Sequence, residues 1–322
     1  MNQITIKTKE IEKLMLDVCK RYGLSDGESM LVIENYLDAE LLRKSTHGIS
    51  KFCFECRFFI ERKGKPNVVV DTGPMLKLNG NKEVGPIAMQ YCIELATQRA
   101  KKYGICIVGI NNIQRYGILR TWVSKLLKQG LFGVVLNTCE PAMTGHNGKR
   151  KVLGTNPIAF PISTKKNDYI VDMATSKVAM SLIWQAQREN TTLPPNTFLD
   201  GGGNMTINPK NAKAVQNFGG IKGSSIALLL QLLSGSLFGF KMGSSIENMY
   251  DIGYVILVID PSKCTSLDSM LEENTKLIKE LVNSGADIPG SRSSLLEKSS
   301  ELTLYEDSLK ELQKLGETKN ES

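Results

Sequence analysis

The spacing of apolar residues changes character once along this chain, and that change constrains the fold more than any other feature. Up to Gly64 the apolar positions recur at helical spacing. Ile11, Leu14, Met15, Val18, Cys19 and Tyr22 form one stripe, closed by Gly23. Ser25-Asp26-Gly27-Glu28 has the form of a capping box, and the helix it opens carries Met30, Ile33, Leu37 and Leu41 inward. Ile49, Cys53, Cys56 and Ile60 mark a third helix. Short strand-like runs then enter at 68–70, 75–78, 105–110, 132–136, 158–162, 169–172 and 254–259. Helical stripes lie between several of them: one opened by Pro86, one carrying Ile118, Trp122 and Leu126, and one over 226–237 that is apolar nearly all round and so expected to be buried. Charged helices are expected near 267–282 and 301–315. The chain therefore divides into an N-terminal helical lobe (1–72), a sheet domain (73–262) and C-terminal helices packing back on the lobe (263–322).

Hydrophobic content of 41% with 23% charged residues is that of a soluble globular protein. The net charge of +7 comes from scattered lysines and aromatics are only 7%, which argues against nucleic acid and suits small anions. Seven cysteines without framework spacing, five of them on apolar faces or in apolar runs, read as reduced core thiols. The opening residues do not read as a signal peptide, and the apolar run 226–233 is short for a bilayer and holds Gln231. No membrane and a cytoplasmic location are the expectations.

Chemistry concentrates first in the stretch 43–52, which holds one of only two histidines. With Ser45 or Thr46 as N-cap of the third helix, His47 and Lys51 lie one turn apart on one face, a proton-exchanging group beside a cation. The same pattern fits a surface histidine among solvated lysines. No Gly-x-Gly-x-x-Gly is present. Gly219-Gly220-Ile221-Lys222-Gly223 opens a helix, where bare backbone and Lys222 suit a phosphate as well as a plain loop-to-helix turn. Asp172-Met173-Ala174-Thr175-Ser176 follows a strand end and reads as a sugar or phosphate contact or as an N-cap cluster. His146 lies in a long loop. Two distant histidines and core cysteines give no metal-ligand spacing, so no metal is expected.

Taken in order, these segments resemble the type-2 malate/L-lactate dehydrogenase family, which includes sulfolactate, ureidoglycolate and 2,3-diketogulonate enzymes and cyclic-imine reductases. Ser45-Thr46-His47-Gly48 with Lys51 is similar to its S-H-G-x-x-R segment, and Gly154-Thr155-Asn156-Pro157-Ile158-Ala159 to its G-T-N-P-I-A. Residues 172–176 resemble its D-M-A-T-S, Gly220-Ile221-Lys222-Gly223 through Leu233-Ser234-Gly235 its G-x-K-G…L-L-x-G, and Pro289-Gly290 its late P-G-E. The resemblance implies a non-Rossmann α/β (α+β) fold with a mixed, largely antiparallel sheet that binds NAD or NADP. It also implies a homodimer and a small carboxylate substrate, either a 2-oxo acid or a cyclic 2-imino acid. Carried over, His47 is the catalytic residue, with Thr46, Lys51, Arg115 and Thr155 at the substrate. Cys139, His146, Asp172, Met173, Ala174, Thr175, Ser176, Lys222, Gly223, Gly290, Ser291 and Arg292 belong to the cofactor site. Two departures stand out. Arg115 occupies the place of the family's second histidine, and Lys51 that of its arginine, so the carboxylate clamp is expected to have moved toward Arg115. A non-catalytic homologue that binds a nucleotide or metabolite is the alternative.

Overall fold

The computed structural model describes residues 3–291 and 299–317. Its elements begin with β1 (Gln3–Lys7), α1 (Thr8–Arg21), α2 (Asp26–Leu41) and α3 (Ile49–Glu55). Then come β2 (Asn67–Asp71), β3 (Met75–Glu83), α4 (Gly85–Tyr103), β4 (Ile105–Ile113), α5 (Arg120–Leu127), β5 (Phe132–Asn137), β6 (Ile158–Ser163) and β7 (Asp168–Met173). The irregular middle holds α6 (Leu182–Glu189) and three two-residue strands, β8 (Phe198–Leu199), β9 (Met205–Thr206) and β10 (Ala214–Val215). The rest is α7 (Gly220–Leu233), β11 (Tyr254–Ile259), α8 (Leu267–Asn283), β12 (Glu301–Tyr305) and α9 (Glu306–Glu317).

Seven strands form one mixed sheet in the order β2-β3-β4-β11-β5-β6-β7. Only β3 and β4 pair in parallel, joined by the crossover α4, which such a pair requires. All other neighbours are antiparallel. Because β4 and β5 both pair antiparallel with β11, their C-terminal ends reach the same edge of the sheet. There Tyr254 lies opposite Ile110 and Asn137. Trp122 of α5 is fully buried against the sheet, edge-on to Tyr116.

In the lobe, the capping box opening α2 is formed, with Ser25 Oγ accepting from Glu28 N–H and the Glu28 carboxylate accepting from Ser25 N–H. Phe52 is wholly buried there, contributing about 1.5–3 kcal/mol of apolar burial. The lobe's core is completed from the far end of the chain by Leu302, Leu304, Leu309 and Leu312.

Three sequence expectations change. The segment 301–305 is a strand paired with β1, because Leu302 and Leu304 alternate inward at period two. Of the two C-terminal helices, α9 packs on α1 and α3 of the lobe, while α8 packs on β6 of the sheet. Between α6 and α7, β8, β9 and β10 pair into a small sheet. Finally, α7 is not enclosed. Ile221, Leu228, Leu229 and Leu232 are 43–60% exposed along one face. The apolar stretch Gly220–Phe238 runs 19 residues, long enough by length and composition to cross a membrane, and is 39% buried within the chain. An apolar circumference predicts burial against something, and a single chain covers one side only.

Candidate functional site

The turn that carries His47 is followed by a helix capped by an acid of the preceding helix. Ser45–His47 forms a 3-10 turn ahead of α3, whose N-cap is Gly48 with no side-chain cap. The cap comes from the preceding helix, where the Glu40 carboxylate accepts the Ile49 N–H at 2.8 Å. A Cβ at Gly48 would run into that carboxylate, which explains the glycine. The N-cap position falls on Gly48, not on the expected Ser45 or Thr46, and His47 precedes the helix, so the expected one-turn stacking of His47 on Lys51 within α3 is replaced by a turn. Burial, reinforced by the charges of Lys51 and Lys44, pushes the His47 imidazole down to about 3. The ring is therefore neutral at pH 7. Its Nδ1 lies 3.1 Å from Thr46 Oγ1.

The two expected carboxylate clamps are both engaged. Lys51 Nζ lies 3.4 Å from Glu55 Oε1, and Glu55 is buried and accepts the Tyr36 hydroxyl at 2.5 Å. Arg115 is ion-paired with Glu140. Burial works against the Arg115 charge, but the carboxylates of Glu140 and Glu55 more than offset it. These residues share one neighbourhood around Cys139. Burial raises that thiol, the Thr155 hydroxyl lowers it by a hydrogen bond, and Glu140, Arg115 and Lys51 all act on it. Arg115 and Cys139 thus follow the paired ends of β4 and β5, the loop of Thr155 lies against Cys139, and the charge of Lys51 acts on the same thiol.

A second cluster surrounds the start of α7. Gly219 and Gly220 both adopt left-handed backbone, φ +59° and +58°, and the helix has no side-chain cap. His146 reaches it from the long loop, its N–H donating to Ser224 Oγ at 3.1 Å, with the ring lying against Gly220. Lys222 is exposed, and a Cβ at Gly223 would strike Phe218 O.

Residues 172–177 run between the two clusters. Thr175 is fully buried, its N–H donating to Thr155 O at 2.8 Å and its hydroxyl to Thr155 O at 2.9 Å. Phe218 N–H donates back to Thr175 O, and Ser176 bridges to Asn217. Asp172 closes the path to the lobe, accepting from Lys44 Nζ at 3.1 Å and from Arg120 N–H at 3.3 Å. Met173 is exposed and Ala174 half-buried beside it. Gly290, at φ +82°, packs on the Ile170 carbonyl of β7, where a Cβ would collide, and Ser291 N–H donates to Ile288 O at 3.1 Å. Arg292 lies outside the described residues.

Several site residues escape sequence reasoning. Asn156, buried at φ +24°, accepts from Cys139 N–H at 3.2 Å and donates to Ala227 O and Gln231 Oε1 at 3.1 and 2.7 Å. It fastens the loop of Thr155 to α7. Glu40 and Glu55 were detectable as acids set within apolar helical stripes. Lys44 and Glu140 carried no comparable signal.

The sequence profile described as malate/L-lactate dehydrogenase matches residues 6–312. The chain is similar to the malate/(S)-sulfolactate dehydrogenase of Methanothermus fervidus, 29% identical over 98% of this chain and 97% of that protein. It is similar to the delta(1)-pyrroline-2-carboxylate reductase 1 of Burkholderia ambifaria, 24% identical over 90% of each. The solved sulfolactate dehydrogenase from Methanocaldococcus jannaschii superposes with a TM-score of 0.88 at 25% identity, covering 97% of this chain and 96% of the other. The chain belongs to the malate/L-lactate dehydrogenase family.

Proposed function

We propose that this chain is an NAD(P)H-dependent reductase of a small 2-oxo acid or cyclic 2-imino acid. One observation carries the reading. Thr175 links Phe218, just before the uncapped, glycine-opened start of α7, to Thr155, Asn156 fastens the same loop to the body of α7, and Asp172 ties the same segment to the His47 turn. A dinucleotide fits the first end of this path. Backbone N–H groups at the α7 start, Lys222, His146 and the 172–176 segment would hold it, with Gly223, Gly290 and Ser291 keeping the backbone close. NADH or NADPH, when bound, supplies the hydride. Arg115 and Lys51 orient the substrate carboxylate, sharing it with Glu140 and Glu55. With Thr46 Oγ1 donating to Nδ1, the neutral His47 ring carries its proton on Nε2 and donates it toward the reacting oxygen or nitrogen.

The cofactor domain is read as non-Rossmann, spanning residues 73–262 between the lobe of residues 1–72 and the segment 263–322. The exposed face of α7 is read as the homodimer contact, in a cytoplasmic protein that binds neither membrane nor nucleic acid. The non-catalytic reading draws on one observation, that both carboxylate clamps already carry acidic partners. Titrating the protein with NADH and NADPH by fluorescence, then assaying oxo and cyclic imino acids with both, decides between them. Binding of neither nucleotide sinks the reductase; binding with turnover sinks the alternative.

A further inference from the structure

We propose that Glu140 is a specificity-determining residue that turns this site away from substrates carrying a second anionic group. The proposal rests on the reductase reading and concerns which acids the site accepts.

The argument starts from charge balance at the sheet edge. Arg115 follows β4 by two residues and Glu140 follows β5 by three, and the two side chains meet beside the start of β11. Both are about one-third exposed, 32% and 35%, so the pair is open on one side rather than sealed in a core. The cations nearest His47 are balanced as well, Lys51 by Glu55 and Lys44 by Asp172. A monocarboxylate needs one shared cation. A dicarboxylate or a sulfonated carboxylate needs two, and would place its second anion against the Glu140 carboxylate in a partly desolvated site. Like charges held together that way discriminate by repulsion, whatever attraction the first carboxylate gains. The same carboxylate favours a substrate with a cationic or hydrogen-bond-donating group next to its carboxylate. A free Arg115 would do the reverse, being a planar clamp for a second anion.

The test compares pyruvate and oxaloacetate, 2-oxo acids that differ by a second carboxylate on C3, by kcat/KM in the wild type, E140Q and E140D. The wild type should favour pyruvate. E140Q should raise the oxaloacetate-to-pyruvate ratio at least about tenfold, a difference of about 1.4 kcal/mol, through KM. E140D keeps the charge and should keep the wild-type ratio. An unchanged ratio in E140Q, an equal change in E140D, or a wild type that prefers oxaloacetate overturns the proposal. If E140Q fails to fold, E140S carries the same comparison. Nucleotide titration of each protein separates the two levels. A wild type that binds neither nucleotide refutes the reductase reading, whereas normal binding with an unmoved ratio refutes only the role of Glu140.

Discussion

Replacing Glu40 by glutamine should stabilise the protein, and only above a definite pH. Glu40 is 8% exposed, and burial raises its carboxyl from 4.5 to about 7 against the opposing hydrogen bond from Ile49 N–H. A carboxyl whose folded pKa lies above its unfolded value favours the folded state fully below the unfolded value. That contribution is lost as pH rises through the folded one. The window is therefore pH 4.5 to about 7, and His47, down at about 3, titrates below it. A rise from 4.5 to about 7, at about 1.36 kcal/mol per unit, is on the order of 3 kcal/mol. Glutamine keeps a carbonyl oxygen to accept the Ile49 N–H and carries no charge to bury. Urea unfolding at a series of pH values should show wild type and variant nearly equal at about pH 4.5. The variant should lead by a growing margin that levels off near 3 kcal/mol above about pH 7.5. A margin independent of pH, or one that favours the wild type at high pH, would refute this account. The cap itself would then need another acceptor.

Lys222→Ala should weaken NADH or NADPH binding by roughly 1–3 kcal/mol, the scale of a hydrogen bond to a charged group; unchanged affinity in a fluorescence titration removes Lys222 from the site. His47→Ala should cut turnover by roughly 10²–10⁴-fold while leaving cofactor affinity near wild type, and intact turnover would show that the proton comes from elsewhere. Leu228, half exposed on α7, becomes a probe of assembly: light scattering at micromolar concentration should give a dimer for the wild type and a monomer for Leu228→Glu. A dimeric variant would move the interface off this helix.

The lobe and the sheet were legible because their signals are local. Period 3.6 in residues 11–22 and 30–41 needs no partner to be read, nor do the strand runs at 105–110 and 254–259. The strand over 301–305 was misread as helix because charged residues flank its two inward leucines, and its partner β1 lies almost the whole chain away. The exposure of α7 was illegible for a different reason. Composition reports that a helix must be covered, and is silent on whether the same chain covers it.

The site divides along the same line. Segments proposed to act through bare backbone, such as 219–223 and 172–176, stand out because glycine and small polar residues gather at a helix start or a strand end. The acids that set the charge at the site do not stand out, since each works through a cation placed by the fold: Asp172 on Lys44, 128 residues apart, and Glu140 on Arg115, 25 apart. Only Glu55, four residues beyond Lys51, was within reach of helical spacing. Reading the cations without their partners makes Lys51 and Arg115 free clamps for any anion. With the partners in place, Lys51 carries Glu55 and Arg115 carries Glu140, so on the proposed function a substrate competes with two carboxylates for the same donors.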